Sequence, residues 1–187
     1  METLLWRNML KKDDSGYSHF MLSRCLVGID TSCEEIAEGH RLLETAAEEK
    51  KCTNAQFFLG ALCEMDENIR NNKAIHFYKL AAAQKHIDAM ADIARLCTYG
   101  VPGAIDINHV EALKFGIVAA DAGSNLARCT IGDSLKSGLA GVVEIPKALS
   151  YYRAAAEEKE NQALSRLGSC YAKGVGVAVD LKEARRL

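Results

Sequence analysis

The sequence predicts an all-α protein built as an α/α solenoid, and three observations carry that prediction. Pairs of alanines recur at a nearly constant interval. A second register of small and large apolar residues runs in phase with them. Glycines punctuate the two registers at matching places. The composition agrees: 49% of the 187 residues are hydrophobic and only 2 are Pro, while Ala, Leu, Glu and Lys are abundant, a mixture that favours helices and can fill a core.

The chain begins with Met1–Lys12, in which Leu4, Leu5, Met9 and Trp6 outline a short amphipathic helix, followed by a turn at Asp13-Asp14-Ser15-Gly16. Residues 1–17 are expected to form an N-terminal cap. The apolar run Leu4-Leu5-Trp6 is too short for the core of a signal peptide. No run approaches the ~20 apolar residues that a spanning helix needs.

From about residue 18 the chain is periodic. The pair Ala46-Ala47 returns as Ala81-Ala82, Ala119-Ala120 and Ala155-Ala156, at steps of 35, 38 and 36 residues. Seven residues before each pair stands a small residue, Gly39, Ala74, Ala112 or Ala148, and three after that a large one, Leu42, Phe77, Phe115 or Tyr151. This is the second helix of each unit. In the first helix, Ala55, Ala89, Ala127 and Ala163 are each followed four residues on by Leu59, Ile93, Ile131 and Leu167, then by Gly60, Ala94, Gly132 and Gly168, and three later by Cys63, Cys97, Leu135 and Tyr171. Those positions share one side of a helix and predict a buried stripe. Gly100, Gly138 and Gly174 follow where that helix should end in a left-handed residue. Asp66 stands at this place in the remaining unit, before the shorter linker 67–72. The first unit, near Phe20–Gly28, follows the pattern poorly. The expected organisation is one solenoid domain over 18–187, with repeats at about 18–53, 54–87, 88–125 and 126–161 and a truncated fifth at 162–187.

The run Ala163-Leu167-Gly168-Tyr171-Gly174-Gly176-Val177-Asp180-Ala184 resembles the Sel-1-like repeat, a relative of the tetratricopeptide repeat. The unit from Ala127 keeps Ile131-Gly132, Gly138, Ala148, Tyr151 and Ala155-Ala156, with Glu144 in place of the Asp. The unit from Ala89 keeps Gly100, Asp106, Ala112, Phe115 and Ala119-Ala120, with Ala94 for the Gly and Pro102 at the second glycine place. The resemblance implies a right-handed superhelix of antiparallel helix pairs that serves as an adaptor or scaffold. Some secreted relatives staple each hairpin with a disulfide. Cys63 and Cys97 stand at a first-helix position such a staple would use, but no Cys stands at the alanine pair that would complete it.

Little in the chain points to catalysis. The five His, at 19, 40, 76, 86 and 109, form no i, i+4 pair and no HExxH. Gly174-Val175-Gly176-Val177 lacks the Lys-Ser/Thr of a phosphate loop. The seven Cys are odd in number and lack CxxC, which reads as reduced, largely buried thiols in a cytoplasmic chain. No cofactor and no metal are called for. The net charge of −2 gives no reason to expect nucleic acid or a membrane as partner. The expectation is a non-enzymatic scaffold that holds a protein or peptide segment in the concave groove of its first helices. An RNA-binding helical repeat and a cysteine hydrolase are the alternatives. The groove row, opposite the buried stripe, includes Asp92, Arg95, Tyr99, Asp133, Arg166 and Lys173. The apolar edge of the unfinished fifth repeat is a further surface, suited to self-association.

Overall fold

The computed structural model describes residues 2–26, 32–65, 73–101, 105–139, 141 and 143–187. Gly28, Asp66, the linker 67–72 and Pro102 lie outside them. Apart from one bridge pair, Val101 with Ile105, every ordered element among the described residues is helical, and the fold class is that of an α/α solenoid.

Two compact units divide at His86–Ile87. The first holds α1 (Glu2–Leu10), α2 (Gly16–Leu26), α3 (Cys33–Glu44), α4 (Thr53–Met65) and α5 (Lys73–Ala83). In α1 the packed residues are Trp6 and Leu10, which join Leu22, Leu26 and Leu42, whereas Leu4, Leu5 and Met9 face solvent. The predicted apolar face is thus rotated: the indole has the most apolar area to hide, and the helix turns to bury it. Ser18, His19 and Ser23 are buried on α2. His19 Nδ1 meets the Ser15 carbonyl at 2.9 Å, and the Ser23 hydroxyl donates to the Phe20 carbonyl at 2.7 Å. These polar residues at core positions explain why the first unit of the sequence departs from the register. The element that carries the first alanine pair also deviates, since α3 continues into a π-helical turn over Thr45–Glu49 that holds Ala46 and Ala47.

The second unit holds α6 (Ile87–Tyr99), α7 (His109–Asp121), α8 (Asn125–Ser137), α9 (Ile145–Glu157), α10 (Asn161–Lys173) and α11 (Leu181–Arg186). Successive helices pack as α6 with α7, α8 with α9 and α10 with α11. Several boundaries have a chemical cause. Gly138 and Gly174 take left-handed conformations, φ 67° and 70°, and close α8 and α10 by donating to the carbonyls of Ser134 and Cys170. Asn108 caps α7 by accepting from the Glu111 amide, and Asp180 caps α11 by accepting from Lys182 and Glu183. Asp106, aligned by motif with the capping Asp, is exposed two residues too early; the cap must directly precede the helix, and Asn108 occupies that place. The second-helix ends follow another rule. Lys51, Lys85 and Lys159 adopt positive φ values of 52°, 66° and 61°, a conformation that costs a non-glycine residue about 1–2 kcal/mol.

The predicted stripe is buried. Ala89, Ile93, Ala94 and Cys97 are covered on α6, as are Ala127, Ile131 and Leu135 on α8 and Ala163 and Leu167 on α10. A second stripe that the spacing did not reveal is buried too: Ala91 and Leu96 on α6, Cys129 and Ser134 on α8, Cys170 on α10. The middle helix α8 touches α6 and α10 as well as its own partner α9, so it is covered on more than one side.

Of the first-helix register glycines Gly60, Gly132 and Gly168, Gly132 is the tightest. A methyl group added there would collide with the Tyr152 ring, meeting its Cδ1 at 2.9 Å. At Gly168 the nearest obstacle is the Ala184 carbonyl at 3.2 Å. Gly132→Ala is therefore expected to lower stability by about 1–3 kcal/mol despite the better helix propensity of Ala. Gly168→Ala should change it by less than about 1 kcal/mol. Urea unfolding of the two variants checks the contrast, and equal effects would show that the Tyr152 contact does not set the spacing.

Candidate functional site

The residues predicted for the groove all lie in the second unit. The structure joins three of them across three helices. Asp133, in the middle of α8, accepts at Oδ2 from the Tyr99 hydroxyl at the end of α6 (3.1 Å) and from Arg166 Nε on α10 (2.8 Å). Its Oδ1 accepts from the Tyr152 hydroxyl on α9 at 2.6 Å. Lys136 adds its ammonium 3.7 Å from the same carboxylate and 5.6 Å from the centre of the Tyr152 ring. Asp92 and Arg95 form a local pair on α6, with Arg95 Nη2 donating to Asp92 Oδ1 at 2.9 Å. Lys173 stands apart, exposed in the last turn of α10.

The row is less open than its spacing suggests. Thr130, which shares its register, is 2% exposed, and its hydroxyl donates to the Leu126 carbonyl at 2.9 Å. Asp92, Arg95, Asp133 and Arg166 are half-buried, and Tyr99 is 52% exposed. At the matching places on α4 in the first unit, Phe58 packs edge-on against Phe20 at 6.0 Å, while Met65 is 79% exposed.

Tyr152 and Lys136 belong to this cluster and were not anticipated. Their signal in the sequence is faint. Tyr152 follows the large residue Tyr151, and a tyrosine also occupies the matching place at Tyr78. Both tyrosines lie against a first-helix glycine, Gly132 and Gly60.

The electrostatics follow the burial. Burial raises the Tyr99 hydroxyl above its ordinary value, and the Asp133 charge adds to the shift. The same causes, with the short bond to Asp133, push Tyr152 far up. Burial alone would weaken the charge of Arg166, but the hydrogen bond and charge of Asp133 outweigh it and the guanidinium is held up. Burial likewise pushes up the thiols of Cys129 and Cys170, which suits packing and opposes nucleophilic chemistry. No two of the seven cysteines are bridged, and the described residues contain no cluster of His, Cys, Asp and Glu fit to hold a metal ion. None of the described helices is long and apolar enough to cross a membrane.

The first unit offers a different surface, a cleft of about 580 Å³ among α3, α4 and α5. Leu59, Leu62 and Phe77 form its apolar floor, with Glu44, His76 and Lys73 at its rim.

Two outcomes test these assignments. Asp133→Ala leaves the fully buried Tyr152 hydroxyl without its acceptor and Arg166 without its counter-charge. The expected loss is about 2–4 kcal/mol, smaller in a Tyr152→Phe background, as a double-mutant cycle by urea unfolding would show. The second outcome concerns pH. Tyr151, whose hydroxyl donates to Asp121 at 3.0 Å, is pushed up to about 12 by burial and then by Asp121. The unfolded chain therefore loses this proton first, near pH 10. Its contribution to stability is complete below pH 10 and disappears as the pH rises to about 12. Tyr151→Phe should flatten part of that alkaline decline in unfolding free energy, and an unchanged slope would refute the assignment.

Comparison with known proteins shows the family and the fold. The profile of the Sel1 repeat family matches residues 53–86, 87–124, 132–159 and 161–187. A chitin synthase regulator of Malassezia restricta is 29% identical over 83% of this chain and 11% of its own length. A Sel1-repeat-containing protein of Escherichia coli is 30% identical over 67% of this chain and 55% of its own length. The chain thus spans little more than half the length of one relative and a small part of the other. Among solved structures, a Sel1 repeat protein from Oxalobacter formigenes superposes with a TM-score of 0.79 at 26% identity, covering 98% of this chain and 75% of that one. A protective antigen of uropathogenic Escherichia coli with an SLR fold gives 0.80 at 24%, covering 97% and 38%. Sel1 repeat proteins are generally scaffolds for protein interaction. With four repeats matched over more than half of its length, the chain belongs to the Sel1 repeat family.

Proposed function

We propose that the chain is a non-enzymatic adaptor that holds a segment of a partner protein along the first-helix row of its second unit, over Asp92, Arg95, Tyr99, Asp133 and Arg166. The observation that carries this reading is the ordering of the row. Tyr99, Asp133 and Arg166 come from three helices and are already fixed to one another by hydrogen bonds. Side chains fixed before a partner arrives lose less freedom on binding. Tyrosine and arginine are also the residue types that dominate binding hot spots. A relative described as a chitin synthase regulator fits a role exercised through another protein. Seven unbridged cysteines suit the reducing conditions of a cytoplasm.

Affinity capture on the tagged chain, followed by mass spectrometry, identifies the partner. Arg95→Ala and Tyr99→Ala are then each expected to weaken it by about 1 kcal/mol or more while the chain stays folded. The reading fails if both variants bind like wild type and Glu44→Lys, in the cleft of the first unit, abolishes binding.

A further inference from the structure

The charges along the row are unevenly distributed, and they describe the segment that fits it. On α6 the Asp92–Arg95 pair is internally neutral. On α8 and α10, with Arg128 bound to Glu158, three cations, Lys136, Arg166 and Lys173, remain beside a single carboxylate, Asp133. That carboxylate already receives two tyrosine hydroxyls and a guanidinium, so little of its field remains for solvent. This end of the row is locally positive in a chain whose net charge is −2.

We infer that the held segment is acidic: an extended polypeptide with at least two carboxylates seated over α8 and α10, among Lys136, Arg166 and Lys173. This deepens the proposed function and rests on that row being the binding surface. Spacing sets the pattern. Packed helices lie about 8–10 Å apart, and an extended chain rises about 3.3 Å per residue, so every third residue meets a new helix. The carboxylates fall within about four residues of each other. An apolar or aromatic residue three positions further on lies over the Tyr99 ring. Two ammonium groups, beside the Arg166 guanidinium that already holds Asp133, match carboxylates well, while a surplus of two positive charges neutralises too few phosphates to hold a nucleic acid firmly.

A library of random twelve-residue peptides displayed on phage, selected on the whole chain, tests this. Enriched peptides are labelled with fluorescein and titrated by anisotropy against wild type, Lys173→Glu, Lys173→Gln and Tyr99→Ala. The expected result is enrichment of peptides with two or more Asp or Glu within four residues, weakened roughly fivefold by Lys173→Glu, less by Lys173→Gln, and by added salt. Peptides weakened by Tyr99→Ala but lacking acidic residues, or indifferent to Lys173→Glu, overturn the acidic inference and leave the row standing. Peptides indifferent to every variant, or an unenriched library, overturn the row itself. A labelled twelve-nucleotide single strand that binds more tightly than the best peptide overturns the inference in favour of nucleic acid.

Discussion

The contact between Gly132 and Tyr152 controls the rest of the second unit. Because α8 has no side chain at 132, the Tyr152 ring lies directly against that helix. A ring at that height delivers its hydroxyl to Asp133, one residue further along. Asp133 then fixes Arg166 on the next first helix and Tyr99 on the previous one. A packing requirement within one hairpin thus becomes the alignment of three helices. The same device recurs in the first unit, where Tyr78 lies against Gly60 and its hydroxyl donates to Glu64 at 3.1 Å.

The hairpin of α6 and α7 solves the problem differently. Its two facing positions are both small, Ala94 and Gly116, and the space is taken by Ile131 from α8. Its core therefore belongs partly to the following repeat, as expected of an array in which each unit buries its apolar face on a neighbour. A polar staple reinforces the same junction: Arg128 donates to the Ala120 carbonyl at 3.3 Å and to Glu158 Oε1 at 2.6 Å, tying the last turn of α7 to the end of α9.

The fold was legible because helices impose their period on any sequence that must bury one face. The alanine pairs, the stripe at Ala89, Ile93, Ala94 and Cys97, and the glycines ending α8 and α10 are all local consequences of that geometry. What escaped was set by contacts distant in sequence. The rotation of α1 onto Trp6 depends on Leu22, Leu26 and Leu42. The second buried stripe, with Cys129 and Cys170, depends on helices one repeat away. Within the candidate site, spacing placed Asp133 on the same side as Arg166, yet nothing local showed that two tyrosines, 34 residues before it and 19 after, would converge on its carboxylate. The positive φ of Lys85 and Lys159 was equally hidden, since a left-handed residue usually announces itself as glycine.

These arrangements divide the row into two kinds of position. Asp133 supports folding and orders the row at once, because the hydroxyl of a fully buried tyrosine and the guanidinium of Arg166 both depend on it. A change there disturbs the surface on either side and destabilises the hairpin at once. Lys173 carries charge into the same field from an exposed final turn and supports no core contact, so it can vary at little cost to stability. Arg95 lies between the two, paired on its own helix with Asp92. In an array whose repeats must keep alanine, glycine and large apolar residues in register, the few positions left to vary are those exposed near fixed ones. In the proposed binding mode, specificity for a partner is therefore tuned at Lys173 or Arg95 while Asp133 holds the geometry in which those charges act.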